Sequence, residues 1–189
     1  YHYYVFSRRV AKQIKHNKKE NKYIIRFSCF SNTQTISNHS RAIVKFNSFI
    51  ADFLIKYFSK RSKKIIKNNA SFCFYHDTFL IYYSGSETKL NSLLTDISNE
   101  LYKINQENDL KLFVHPYFGV VEIKDTKSVI NLISKATIAR RVGQLNFKEI
   151  VFYEPSMEKE EDESIVININ KAIENNEFVV YYQPECNLT

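Results

Sequence analysis

The order of apolar patterns along these 189 residues predicts an α+β fold: a β-α-β-β-α-β core of the ferredoxin-like or polymerase-palm type, with helices packed on one side of an antiparallel-centred sheet. Three observations predict it. Residues 71–83, SFCFYHDTFLIYY, hold two aromatic runs around the polar centre His76-Asp77-Thr78 and read as a hairpin. A segment of helical spacing stands on each side of that hairpin. Beyond each segment lies a short apolar run of strand character.

Taken in order, residues 8–18 predict a short basic helix and 22–30 (KYIIRFSCF) a strand. The polar loop 31–40 leads into apolar residues Ile43, Phe46, Phe49, Ile50, Phe53, Leu54 and Tyr57, one stripe of a 3.6-residue period. A basic stretch, 60–67, precedes the hairpin. Leu90, Leu93, Leu94, Ile97, Leu101 and Ile104 mark a second amphipathic helix. Residues 111–123 predict a strand interrupted by Pro116. Val129, Ile133, Ala136 and Ala139 mark a third core helix, and 149–153 a last short strand. Residues 154–163 (EPSMEKEEDE) carry six carboxylates and one lysine and read as an acidic connector. A helix over 164–174 and a strand over 178–182 come next; alone they cannot close a core, so they belong to something truncated or pack back on the first domain.

With 44% hydrophobic residues a core needs no disulfide support, and Cys29, Cys73 and Cys186 read as free thiols of a reducing compartment. No apolar run reaches the ~18–20 residues that span a bilayer. No secretory leader is visible, and the absence of an initiator Met suggests a piece of a longer protein. The net charge of +7 is uneven. Residues 1–70 hold 16 basic residues against Glu20 and Asp52, a net +14; the remainder holds 11 against 18, a net −7. A basic half fits nucleic acid or an anionic surface. The plainer reading is a set of lysines scattered over solvated helix faces, and no nucleic-acid partner is expected.

The segment AIENNEFVVYYQPECNL (172–188) resembles the opening of EAL domains, the phosphodiesterases of cyclic di-GMP, through Asn176-Glu177-Phe178 and Tyr182-Gln183-Pro184. A GGDEF domain, of diguanylate cyclase fold, often precedes an EAL domain, and residues 1–153 resemble a degenerate one. The family's Gly-Gly-Asp-Glu-Phe then falls on Tyr75, His76, Asp77, Thr78 and Phe79. Phe118-Gly119-Val120 matches its Ser-x-Gly strand with Tyr117 in place of Ser. Ala136 and Ala139 match its alanine helix, with Thr137 replacing an Asp and Gln144 standing where a phosphate-binding Lys would be.

That resemblance implies what is missing. The family's chemistry needs divalent metal held by carboxylates from the first strand and from the hairpin. No Asp or Glu lies between Glu20 and Asp52, so the first-strand ligand falls on Ser28, Cys29, Phe30 or Asn32. Asp77 is the single carboxylate left at the hairpin, and the glycines that admit a nucleotide are replaced by Tyr75 and His76. No catalytic residue and no metal ligand set is therefore expected. His76-Asp77 with His39 or His115 is the one alternative metal arrangement and lacks supporting spacing. Asn38 and Asn47 fall where the family contacts guanine and, with Asp77, are the nucleotide-binding candidates; for the two asparagines the plainer reading is a cap-region residue and a solvated helix residue. The family's inhibitory Arg-x-x-Asp site falls on Ile66-Lys67-Asn68-Asn69 and is absent.

The expected organisation is a degenerate GGDEF-like domain over 1–153, an acidic connector over 154–163 and the start of an EAL-like domain over 164–189. The expected function is non-catalytic control of that downstream phosphodiesterase. The alternatives are an active cyclase with atypical residues and a pure interaction module. Gln183 matches the EAL glutamine that contacts substrate. No cofactor is expected in residues 1–189, and Mg or Mn only for an intact EAL domain. Candidate partners are the EAL domain in cis, a second copy of the chain and GTP. The expected location is cytoplasmic, free or as the inner part of a membrane-attached protein.

Overall fold

The computed structural model of the chain describes residues 2–16, 21–29, 40–61, 70–75, 78–110, 112–124, 128–159, 170 and 172–175. The chain divides into two compact units, residues 1–154 and 155–189. In the first unit the order is α1 (His2–His16), β1 (Lys22–Ser28), α2 (Ser40–Arg61), β2 (Ala70–Tyr75), β3 (Thr78–Ser84), α3 (Glu87–Glu107), β4 (Tyr117–Glu122), α4 (Val129–Leu145) and β5 (Ile150–Phe152). Elements β1 to β4 form the predicted β-α-β-β-α-β core. The sheet has the order β2-β3-β1-β4-β5, antiparallel except for the parallel β4–β5 pair.

Helices cover both faces of this sheet, not one. On one face Tyr23, Ile25, Phe27, Phe79, Ile81, Phe118 and Val120 pack against Phe46, Ile50 and Leu54 of α2 and against Leu90, Leu94, Ile97 and Leu101 of α3. On the other, Ile24, Leu80, Tyr82 and Val121 pack against Phe6, Val10 and Ile14 of α1 and Leu132, Ile133 and Ala136 of α4. The reason lies in the strands themselves. Phe79, Leu80, Ile81 and Tyr82 are successive and all buried, and successive side chains point to opposite faces. A run without alternation needs cover on both sides.

The predicted helix over 8–18 starts earlier, at His2, and β1 ends at Ser28 rather than at residue 30. The predicted strand over 111–123 shortens to β4. His115 still donates its backbone N–H to Cys29 O at 2.9 Å, but Pro116 has no N–H to give the ladder. In the hairpin, Tyr75 pairs with Thr78 across residues 76–77, and Phe74 and Phe72 lie opposite Phe79 and Ile81.

Both long helices after the hairpin are capped by their own sequence. Ser86 and Ser128 accept from the backbone N–H of Lys89 and Asn131, the expected N-cap geometry. Each helix ends in a residue of positive φ, Asp109 (46°) after α3 and Phe147 (54°) after α4. Leu110 N–H then reaches Asn105 O, and Lys148 N–H reaches Gly143 O. These are Schellman closures, usually built on glycine.

In the second unit, residues 157–159, 170 and 172–174 are helical and Asn175 is a turn. The predicted helix over 164–174 lies mostly outside the described residues. The strand over 178–182, with Gln183, lies outside them entirely.

Candidate functional site

Four of the positions singled out by sequence, Ser28, Thr78, Thr137 and Gln144, lie where the N-terminal end of β3 meets β1 and α4. Thr78 is fully buried at the start of β3. Its Oγ1 accepts a hydrogen bond from Arg26 Nε at 2.9 Å. Arg26 Nη1 donates to Thr137 Oγ1 of α4 at 2.6 Å. The Thr137 hydroxyl donates its own proton to Ile133 O at 2.8 Å, which leaves its lone pairs to the guanidinium. One arginine therefore ties β1 to β3 and to α4 through two threonines.

A second arginine continues this polar seam. Arg140, on α4 and 7% exposed, donates from Nη1 to Ser28 Oγ at 2.9 Å and to Gln144 Oε1 at 3.2 Å. Ser28 and Gln144 are two of the positions that the sequence resemblance singled out. Both side chains accept from Arg140. Tyr117, opposite Ser28 in the ladder, is buried beside His115, with ring centroids 4.7 Å apart.

The seam closes because α4 lies directly on β4. A Cβ at Gly119 would collide with Ala136 O and Arg140 N. These are backbone atoms, so no side-chain rotation relieves the clash. Glycine at this position is a requirement of close approach, and it brings Thr137 and Arg140 within reach of β1.

Of the remaining predicted residues, Asn47 sits half-buried on α2, Phe79 is in the core with its ring 5.0 Å from that of Phe27, and His76, Asp77, Asn38, His39 and Gln183 lie outside the described residues. The backbone of Tyr75 closes the hairpin opposite Thr78. Among the described residues no group of three or more His, Cys, Asp or Glu side chains is placed to hold a metal ion. Cys29 is a buried free thiol, and burial pushes its pKa far up, which makes it unreactive.

Sequence reasoning missed Arg26 and Arg140. A signal existed for each. Arg26 is the one charge inside the apolar run YIIRF, and Arg140 continues the buried stripe of Ile133, Ala136 and Ala139.

No family model matches the chain, and no curated protein matches it. Solved structures do. A microbial GGDEF domain, described for a novel interaction mode with bis-(3,5)-cyclic di-GMP, gives a TM-score of 0.50 at 11% identity, over 77% of this chain and 86% of that one. An EAL/GGDEF domain protein from M. capsulatus gives 0.44 at 12% identity, over 80% and 97%. The S helix-GGDEF-EAL portion of Vibrio cholerae LapD, bound to c-di-GMP, gives 0.48 at 16% identity, over 93% of this chain and 40% of that one. Identities this low speak to architecture and not to chemistry. In architecture, the chain has a GGDEF-like fold.

Proposed function

We propose that this chain is a non-catalytic, GGDEF-like regulatory domain of a cytoplasmic cyclic di-GMP signalling protein. In this reading residues 154–163 are a connector, and 164–189 begin the EAL phosphodiesterase domain that it controls. The observation that supports the loss of catalysis is the Arg26 guanidinium held between Thr78 and Thr137. A metal-dependent cyclase needs carboxylate oxygens there. A fixed positive charge has the opposite effect: with an effective dielectric of ~20, a divalent ion ~5 Å from one guanidinium is repelled by roughly 7 kcal/mol. Arg140, bonded to Ser28 at the end of β1, adds to the same field. A guanidinium does not deprotonate in the accessible pH range, so pH does not remove the obstacle.

With synthesis gone, the domain acts through its packing on the downstream phosphodiesterase, through a second copy of the chain, or through a retained nucleotide. The test is direct. Incubation with GTP and Mg²⁺ or Mn²⁺ yields no cyclic di-GMP above a buffer blank, and calorimetric titration with GTP and with cyclic di-GMP reports whether a nucleotide still binds. Product formation that disappears in Asp77→Ala would overturn the proposal in favour of an active cyclase. Absence of any nucleotide binding would assign the domain to protein interaction alone.

A further inference from the structure

The two helices that cover one face of the sheet, α1 and α4, lie side by side. Neither contains a single Asp or Glu. On α1, Arg8, Lys12 and Lys15 recur at i, i+4 and i+7, with Arg9 beside them, and all four are exposed. The buried stripe Phe6, Val10 and Ile14 is on the opposite side of that helix. On α4, the exposed positions Ile130, Ser134, Arg141 and Leu145 share one stripe at helical spacing. Ile130 is 61% exposed, Leu145 65% and Phe147, just past the helix, 82%. The layer over the other face is mixed: α2 carries Arg41, Lys45, Lys56, Lys60 and Arg61 with Asp52, and α3 carries Glu87, Asp96, Glu100 and Glu107. The topology thus sets the four cations of α1 beside Arg141 of α4 in one carboxylate-free layer edged with large apolar side chains.

Phe147 adds an independent sign. It occupies the position after the α4 cap at φ 54°, where glycine is the usual residue and a bulky side chain is strained. Its ring stands in solvent and adds little to the packing of this domain.

We propose that the α1/α4 face docks on an anionic lipid surface, with Arg8, Arg9, Lys12, Lys15 and Arg141 facing the headgroups and Leu145 and Phe147 entering the interface. Cations on one face with apolar side chains beside them are what such a surface selects. A second copy of the chain fits poorly, because a two-fold contact would set like charges against each other. Nucleic acid would satisfy the cations but give Ile130 and Leu145 nothing to bury against. The docking is peripheral: among the described residues no helix is long and apolar enough to cross a membrane.

The experiment is co-sedimentation of the 189-residue chain with vesicles of phosphatidylcholine alone and of phosphatidylcholine with phosphatidylserine. Retention is expected on the anionic vesicles only, and it falls as salt rises. Arg8→Ala and Lys12→Ala each lower the partition coefficient about fivefold. Phe147→Ser lowers it without changing the salt dependence. These positions are exposed, so thermal melts close to that of the parent chain show that the variants are folded. Failure to bind anionic vesicles at low salt overturns the proposal. So does binding to duplex DNA that is at least as tight and indifferent to Phe147→Ser, which would assign the face to nucleic acid.

Discussion

Replacing Arg26 with alanine removes two charge-assisted hydrogen bonds at once, to Thr78 and to Thr137. Bonds to a charged group contribute ~1.5–3 kcal/mol each, so the gross loss is ~3–6 kcal/mol. The alanine also spares the desolvation of a half-buried guanidinium, which offsets ~1–3 kcal/mol. The expected net destabilisation is ~2–4 kcal/mol, and at ~2–4 °C per kcal/mol for a domain of this size the melting temperature falls by ~5–15 °C. Urea denaturation followed by circular dichroism and by tyrosine fluorescence measures it; the chain has 13 tyrosines and no tryptophan. Arg26→Met keeps much of the apolar stem and separates lost bonds from lost packing. Thr137→Val, alone and combined with Arg26→Ala, closes a double-mutant cycle with a coupling of ~1–3 kcal/mol. The guanidinium stays charged, so the effect is flat from about pH 5 to pH 9. An Arg26→Ala variant within ~0.5 kcal/mol of the parent would refute the view that this arginine holds α4 to the strands.

Gly119→Ala forces α4 off β4, since the new methyl meets backbone atoms; a loss of ~3 kcal/mol or more is expected, read by the same denaturation curves. Burial holds the Cys29 thiol protonated in the folded state, so the unfolded chain binds fewer protons above its thiol pKa of ~8.5 and stability falls with rising pH from there. Melting temperatures across that range should decline less steeply in Cys29→Ala. Burial also raises the phenol of Tyr117, and burial with the Glu149 charge raises that of Tyr102, so a further decline sets in above ~10. Phe147→Gly relieves a left-handed residue that is 82% exposed; it should stabilise the domain by ~1 kcal/mol, visible as a higher melting temperature.

The helices after and before the hairpin were legible because their information is local. Leu90, Leu93, Leu94, Ile97, Leu101 and Ile104, picked out by spacing alone, are all buried in α3, since a 3.6-residue period puts them on one side whatever the rest of the chain does. The same holds for the strand order through the hairpin, where two residues separate Tyr75 from its partner Thr78. The second helical layer was harder to foresee. Its sign, the unbroken run from Phe79 to Tyr82, says that both faces of β3 are covered but not by which elements. The polar seam was legible only as isolated oddities. Arg26 reads as a misplaced charge in a strand, because its partners Thr78 and Thr137 lie 52 and 111 residues away. Arg140 meets Ser28 across 112 residues. The sequence by itself determined the core elements and the absence of any Asp or Glu between Glu20 and Asp52, since periodicity and residue chemistry are properties of short stretches. Only the tertiary structure decided that Arg26 and Arg140 bridge β1 to α4 and that the cations of α1 and α4 share one face, because those depend on which distant segments the sheet and the Gly119 contact bring together.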